Sequence, residues 1–496
     1  MRVFTSETLR SAAKQSQGIH HVPPSLIRSI KRFLQEKEKA HMHRKVLRLS
    51  ESFESIKDAN LQLVMAASRE LVEDPLKKCK ERSKRWKIKS SYGDIGLTYG
   101  DDEAVAYVAS RMPAVYSACH RVLREVRRRL PDFSPKRVLD FGSGPGTALW
   151  AMRGVWPRSL ERVNLVEPSK TMQHTCQSLL EDLKDLPVIH SFESIQALTR
   201  NIEKTDREHD LVIASYALGE IPSLKDRITV VRQLWDLTRD VLVLVEPGTP
   251  HGFDIIHQMR SYILWMANRK CRKNEGASSK ACEDMQNSNN MMALRTGAFV
   301  IAPCSHDGPC PLAKSEKYCH FVQRLERTSS QRTYKRSKGE SLRGFEDEKF
   351  CFVALRRGVR PQETWPLDDV KFETDRQTVQ EPEDLETDYE EQLLPEADED
   401  ISNEEPVSNN SDITDSDTDN GYNEEDEQVP ADVGGGWGRI IFTPVRRGNR
   451  VTMDVCRSTK QDGSEGSFER IVISKMDNPS LHRQARKSLW GDLWPF

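Results

Sequence analysis

The stretch that most constrains this chain is a strand-like run that breaks into alternate glycines and then into a helix. Val138, Leu139, Asp140 and Phe141 read as a buried strand, Gly142, Gly144 and Gly146 follow at every second position, and Thr147 and Ala148 open a helix. Glycines at such a junction allow a tight turn and let a ligand approach the backbone with no Cβ in the way. A dinucleotide fingerprint sets its third glycine one residue later and needs a pyrophosphate to hold. Three glycines in five residues is instead the spacing of S-adenosylmethionine sites.

The surrounding sequence supports that assignment. A second strand-like run, Arg162 to Val166, ends at Glu167, where a carboxylate accepts both hydroxyls of an adenosine ribose. Further short apolar runs at Leu211 to Ala214 and Val241 to Val245 are separated by helix-length segments. This pattern predicts a parallel sheet with helices on both faces. The fold class is therefore α/β, a Rossmann-like core of the class I methyltransferase type. Its candidate cofactor-binding residues are Asp140, Gly142, Gly144, Gly146 and Glu167.

At 496 residues the chain is long enough for two or three domains. The reading divides it into a candidate targeting peptide over 1–20, a helical basic region over 21–130, the core over 131–360, an acidic linker over 361–433 and a small β element with a basic, aromatic tail over 434–496. No apolar run approaches about 18 residues, so no membrane-spanning helix is expected. The formal charge of −2 hides a segregation. Residues 361–430 hold 26 Asp+Glu against Lys371 and Arg376, a net −24, and the rest of the chain holds 72 Lys+Arg against 50 Asp+Glu, a net +22. A body this basic takes a polyanion as its natural partner. The acidic stretch is poor in apolar residues and predicts disorder, as a linker or as a decoy that screens the basic body until RNA displaces it.

Upstream of the core, Ser25 reads as the N-cap of a helix carrying Leu26, Ile27, Ile30, Phe33 and Leu34, with a second helix over 61–71. Residues 77–89 carry eight Lys or Arg with Trp86 among them, a composition suited to phosphate contact and base stacking. Asp101 or Asp102 is placed to cap the next helix, and Pro113 to kink or divide it. Arg124, Arg127, Arg128 and Arg129 crowd its end, where they complement the helix dipole or face RNA. Residues 268–293 read as an exposed loop. Strand character appears at Phe350 to Leu355 and again at Arg439 to Thr443, Arg450 to Val455 and Phe468 to Ser474. The tail with Trp490, Trp494 and Phe496 reads as a docking peptide rather than a core element.

Cys304, Cys310, Cys319 and Cys351 form the other constellation. They are separated by five, eight and 31 residues, and the first three lie among Pro303, Pro309, Pro311, His306 and His320. Four thiolates are the ligand set of tetrahedral zinc or of an iron–sulfur cluster. Zinc ribbons show two close cysteine pairs, which this chain lacks, and the wide uneven spacing suits a larger cluster. Zinc, with His306 or His320 substituting, and free thiols are the other readings. No secretory signal accompanies the ten cysteines, so a disulfide framework is not expected.

Together these residues resemble the methyltransferase-like assembly factors of the mitochondrial small ribosomal subunit. The resemblance covers roughly residues 90–360. It rests on Tyr107, Arg111, Pro113 and Tyr116, on VLDFGSGPGT, on LVEPS at 165–169, on VEPGTPHGF at 245–253, and on CSHDGPCPL with KFCFVALRRG at 349–358. It implies a mitochondrial matrix protein that binds small-subunit rRNA and works beside ribosomal proteins of the immature subunit. It further implies S-adenosylmethionine at the glycine loop with Glu167, and a [4Fe-4S] cluster on Cys304, Cys310, Cys319 and Cys351. The acidic insert departs from the family's compact pattern. The chain is expected to be a monomer.

Cofactor binding is not catalysis. Methyl transfer to a base nitrogen relies on an Asn/Asp-Pro-Pro-aromatic loop after the fourth strand, which binds the flipped base. Here that segment reads Ser215-Tyr216-Ala217-Leu218-Gly219-Glu220, and no nucleophilic cysteine accompanies it. Tyr216 and Glu220 read as loop packing and a helix cap. The expectation is a catalytically silent methyltransferase fold acting as an RNA-binding assembly factor. An active rRNA methyltransferase is the main alternative, and a zinc-stabilised methyltransferase of a protein substrate a third.

Overall fold

The structure, a computed structural model, describes residues 6–37, 100–278, 297–335, 344–361 and 437–496, apart from 222, 316 and 461. The helix expected over 61–71, the basic run at 77–89 and the acidic stretch from 362 onward lie outside these residues.

Two sheets organise the fold. The larger has eight strands, in the order β3-β2-β1-β4-β5-β8-β6 with β7 also on β8. Its members are β1 (Arg137–Phe141), β2 (Arg162–Val166), β3 (Val188–Phe192), β4 (His209–Ser215), β5 (Thr238–Pro247), β6 (Ala298–Ala302), β7 (Phe321–Glu326) and β8 (Phe345–Arg357). Strands β1 to β5 are mutually parallel, whereas β8 runs antiparallel to β5, β6 and β7. Chain order reverses direction at β1, between β2 and β4. In open α/β sheets that switch point, outside the carboxyl ends of the strands, is where ligands bind.

The apolar runs are continuous because both faces are covered. Val138, Ile213, Val241 and Val243 face one core, against α4 (Met112–Arg129), α5 (Thr147–Val155) and α2 (Pro24–Glu36). Leu139, Val212, Leu242 and Leu244 face the other, against α8 (Leu224–Asp236) and α9 (Pro250–Ser278). Helix α3 (Asp101–Ser110) ends one residue before α4, and Pro113 occupies the first turn of α4, where its missing N–H costs nothing. Two caps differ from expectation. Gly100 precedes α3, with Asp101, Asp102 and Glu103 in its first turn, and Pro23 precedes α2, which begins at Pro24 rather than after Ser25. Helix α9 continues to Ser278 into the segment expected to be a loop. Two helices follow β2 and β3: α6 (Lys170–Leu180), capped by Ser169, and α7 (Ile195–Asn201), capped by Ser194.

The C-terminal element forms its own sheet rather than extending the first. It comprises β9 (Gly438–Ile440), β10 (Val445–Arg447), β11 (Arg450–Ser458), β12 (Gly466–Ser474) and β13 (Leu493–Trp494), with α11 (Pro479–Lys487) packed on β11 and β12. The α10 label falls to Ser329–Lys335 and α1 to Ser6–Ala13. The tail is core after all: Leu493 and Trp494 pair with β9 and are both 2% exposed.

Buried arginines join these parts. Arg439 of β9, 1% exposed, pairs with Glu125 of α4, which also holds Arg129 at 3.0 Å. Its Nε donates to the Pro303 carbonyl at 3.1 Å and its Nη1 to that of Gly491 at 2.6 Å. Four α4 arginines act likewise, and for Arg127, Arg128 and Arg129 these bonds replace the expected contact with RNA. Arg121 donates to the Val322 carbonyl, Arg127 to that of Val155, Arg128 to those of Ser11 and Lys14, and Arg129 to that of Ile301 at 2.5 Å. The N-terminal segment is sealed in from the other side. The amides of Gln15 and Ser16 donate to Asp492 at 2.9 and 2.7 Å, and His20 bridges to Leu325 beside β7.

Candidate functional sites: a glycine-loop pocket and a cysteine loop

The glycine loop leaves β1 at the switch point. Gly142, Gly144 and Gly146 have φ of +67°, +51° and +81°, a region costly for residues with a Cβ. At Gly144 a Cβ would point into open space, the approach a ligand needs. At Gly146 it would lie 2.6 Å from Cys176 Sγ on α6. Glu167, at the carboxyl end of β2, bridges the two loops by accepting from Gly144 N through Oε2 and Ser169 N through Oε1, both at 2.9 Å. Asp140 is fully buried, and neither of its oxygens has a hydrogen-bond partner. Burial, and secondarily the Glu167 charge, push its carboxyl up to about 8. An orphaned buried carboxyl beside a glycine loop fits a ligand that brings an ammonium group. The structure therefore gathers Asp140, Gly142, Gly144, Gly146 and Glu167 at one strand end.

The far side of this pocket is filled. Tyr216 follows β4 with φ +56°, a strained value for an aromatic residue, and its hydroxyl donates to Glu348 Oε1 at 2.8 Å. Arg111, at the junction of α3 and α4, donates to both oxygens of Glu348 at 2.9 Å and lies 5.8 Å from the Tyr216 ring. The Tyr107 hydroxyl, raised by burial, neighbours Arg111 and Thr147. Arg111, Tyr107 and Tyr216 were visible in the sequence, but Glu348 was not: one Glu in a run of charged residues carries no pattern of its own.

The cysteine loop leaves the sheet where β8 changes partner. On that edge β6 pairs with Ala354 to Arg357 and β7 with Phe345 to Phe350, and the β6–β7 connection carries Cys304, Cys310 and Cys319 across the interval. Cys351 sits in that interval, 1% exposed, its Sγ donating to the Cys319 carbonyl at 3.2 Å. The loop lies against the C-terminal sheet. Asp307 N donates to the Gly463 carbonyl at 2.7 Å, Arg260 Nη2 holds the His306 and Gly308 carbonyls at 2.8 and 2.9 Å, and His306 Nε2 is 3.5 Å from Cys456 Sγ on β11. Burial raises the Cys319 thiol well above its ordinary value, and charge on Cys304, Cys310, Cys351 or Cys456 raises it further. Cys456 is raised by burial and by Cys304 and Cys310, and Cys310, pushed to about 11, by burial and Cys304. Cys351 is raised by burial and then by the carboxylates of Glu246 and Asp254.

Cys304, Cys310, Cys319 and Cys456 thus all lie within electrostatic reach of one another, whereas Cys351, in the same apolar cluster, is raised by carboxylates and bonds the Cys319 carbonyl. Cys456 was missed because nothing near it resembles a ligand motif; its place in the apolar run of β11 gives it the look of a core residue. Among the described residues all of these thiols are free, and no three His, Cys, Asp or Glu side chains close on one point as they do around a single metal ion. His320 stacks on Tyr318 and meets the Trp490 edge.

A doubly wound sheet with one reversed strand and a glycine loop at its switch point defines a class I methyltransferase-like protein. Within that class, the family described as mitochondrial small ribosomal subunit Rsm22 matches residues 101–368 and 406–495. The chain belongs to the Rsm22 family. It is 29% identical over 285 residues to the ribosome assembly protein METTL17, mitochondrial, of Homo sapiens, covering 56% of this chain and 54% of that one. It is 26% identical over 412 residues to the Rsm22-cox11 tandem protein 2, mitochondrial, of Schizosaccharomyces pombe, covering 80% and 44%. The matched regions thus span about half the length of these relatives. Among solved structures it is similar to magnesium protoporphyrin IX methyltransferase (ChlM) from Synechocystis PCC 6803 with bound SAH, at 12% identity and a TM-score of 0.25, covering 54% of this chain and 90% of that one.

Proposed function

We propose that this protein is an assembly factor of the mitochondrial small ribosomal subunit, acting in the matrix on small-subunit rRNA and its ribosomal proteins through a catalytically silent methyltransferase fold. The observation that carries the silent reading is the closed carboxyl end of β4. Where a methyl acceptor would enter, Tyr216 and Arg111 already donate hydrogen bonds to Glu348. S-adenosylmethionine is the ligand proposed for the glycine loop, with Glu167 turning from the Gly144 amide to the ribose hydroxyls and Asp140 meeting the ammonium group. Binding to the folded state alone stabilises it, with or without transfer.

The donor chemistry of the cysteine loop fits an iron–sulfur cluster: half-buried and buried thiols that share one neighbourhood and whose protons bound metal would displace. Cys304, Cys310 and Cys319 would supply three ligands. Of the two candidates for the fourth, Cys456 neighbours Cys304, Cys310 and Cys319 and contacts His306, whereas Cys351 neighbours Cys319, so Cys456 is preferred to Cys351. Such a cluster serves as a cross-link between the two sheets.

Mapping methylated nucleotides in small-subunit RNA with and without the protein tests the silent reading. An unchanged pattern with impaired subunit assembly is expected. Loss of one defined methyl mark, with assembly restored only by a protein that keeps the glycine loop, establishes an active rRNA methyltransferase instead. Anaerobic purification with an absorption spectrum and metal analysis tests the cluster; a colourless protein without iron refutes it.

A further inference from the structure

Arg121, Arg127, Arg128 and Arg129 of α4 spend guanidinium donors on backbone carbonyls, so exposed cations elsewhere are better placed for RNA contact. A group of such cations sits at the exposed end of the C-terminal sheet. Arg446 and Arg447 of β10 and Arg450 at the start of β11 flank a turn at Gly448 and Asn449, and all five residues are exposed. The next turn is tied to this one, Lys475 N donating to the Asn449 carbonyl at 2.7 Å. The end of α11 joins them: Arg446 donates to the Arg486 carbonyl at 2.9 Å and the Ser488 carbonyl at 2.8 Å, beside exposed Lys487. Six cations therefore share one end of the molecule. The nearest carboxylates in sequence are Asp477, exposed in the same turn, and Asp454, already paired with Arg470 at 2.8 Å. The α11 dipole accounts for Arg486 and Lys487, but not for Arg447, Arg450 and Lys475. Met476, 85% exposed, and Leu489, 40% exposed, add apolar surface at this end.

We propose that this basic end of the C-terminal sheet is an RNA-binding surface that grips phosphates across the β10–β11 turn, the Lys475 turn and the end of α11. The proposal rests on the assembly-factor reading and assigns it a place other than the 77–89 run and the α4 arginines to which the sequence pointed. Phosphate contacts supply affinity and position without sequence specificity, so the surface anchors the RNA and leaves selection to other contacts.

The test uses the full chain carrying Arg447→Gln, Arg450→Gln, Lys475→Gln and Lys487→Gln together, none of which removes a side-chain bond described above. Affinity for a transcript of small-subunit ribosomal RNA is measured across a salt series. A control chain carries Arg158→Gln, Lys184→Gln, Arg200→Gln and Lys204→Gln, exposed cations of the core. Each phosphate contact contributes about 0.7 to 0.9 to the slope of log affinity against log salt, so the test chain is expected to lose about three in slope and about 100- to 1,000-fold in affinity near 0.1 M salt. The control should stay within about threefold, and both variants should keep the parent melting temperature. A parent that binds and a test chain that binds equally, or a control that loses as much, overturns the surface alone, even if an acidic protein partner is lost. A parent that does not bind RNA at low salt overturns the assembly-factor reading and the surface together.

Discussion

The glycine-loop pocket and the cysteine loop differ in how they are built. The pocket is local: Asp140, the glycines and Glu167 fall on two successive strand ends, and the hydrogen bond that closes it spans 23 residues. The cysteine neighbourhood is assembled between two sheets, and the His306–Cys456 contact joins residues 150 apart. A site of the first kind forms with its βαβ unit. One of the second kind depends on the contacts that dock the second sheet, among them a buried arginine on an α4 carboxylate.

That contrast orders the predictions. Replacing Arg439 with Met leaves Glu125 short of a partner inside the protein and should cost about 3 to 5 kcal/mol, read by chemical denaturation. It should split unfolding into two steps, with the glycine-loop core surviving the first; a single unshifted transition would erase the distinction. Next, Cys456→Ser should strip iron from the purified protein while Cys351→Ala keeps it, and the reverse result restores the sequence-based fourth ligand. Gly146→Ala forces a Cβ against Cys176 at a positive φ, so S-adenosylmethionine affinity should fall at least tenfold by calorimetry with iron content unchanged.

Asp140→Asn should flatten pH dependence. A carboxyl raised to about 8 in the folded state contributes stability that is full below about 4 and is lost as pH rises to about 8. The ligand-free protein should therefore melt lower at pH 8 than at pH 5, and the variant less so. Glu246, raised to about 8 mainly by burial, preserves part of the slope. The smallest effect concerns the acidic stretch: removing residues 365–430 should raise RNA affinity a few-fold at low salt and less at high salt, and no change at low salt removes the screening idea.

Legibility in the sequence followed the same divide. The strands, their parallel order and the helix break at Pro113 were written in local pattern, because period and glycine spacing act within a few residues. Charge was read less well. Arg127, Arg128 and Arg129 looked solvent-facing because composition does not reveal which carbonyls a fold leaves needing donors. Trp494 looked like a loose tail because its partner, Gly438, lies 56 positions earlier. Cys456, inside an ordinary β run, offered no signal until the sheet was placed.

The packing of residues 11–16 ties them both to α4 and to the C-terminal sheet. A protease removing the first twenty residues would take away the amides that hold Asp492 and the carbonyls that hold Arg128, exposing the seam between α4 and the C-terminal sheet.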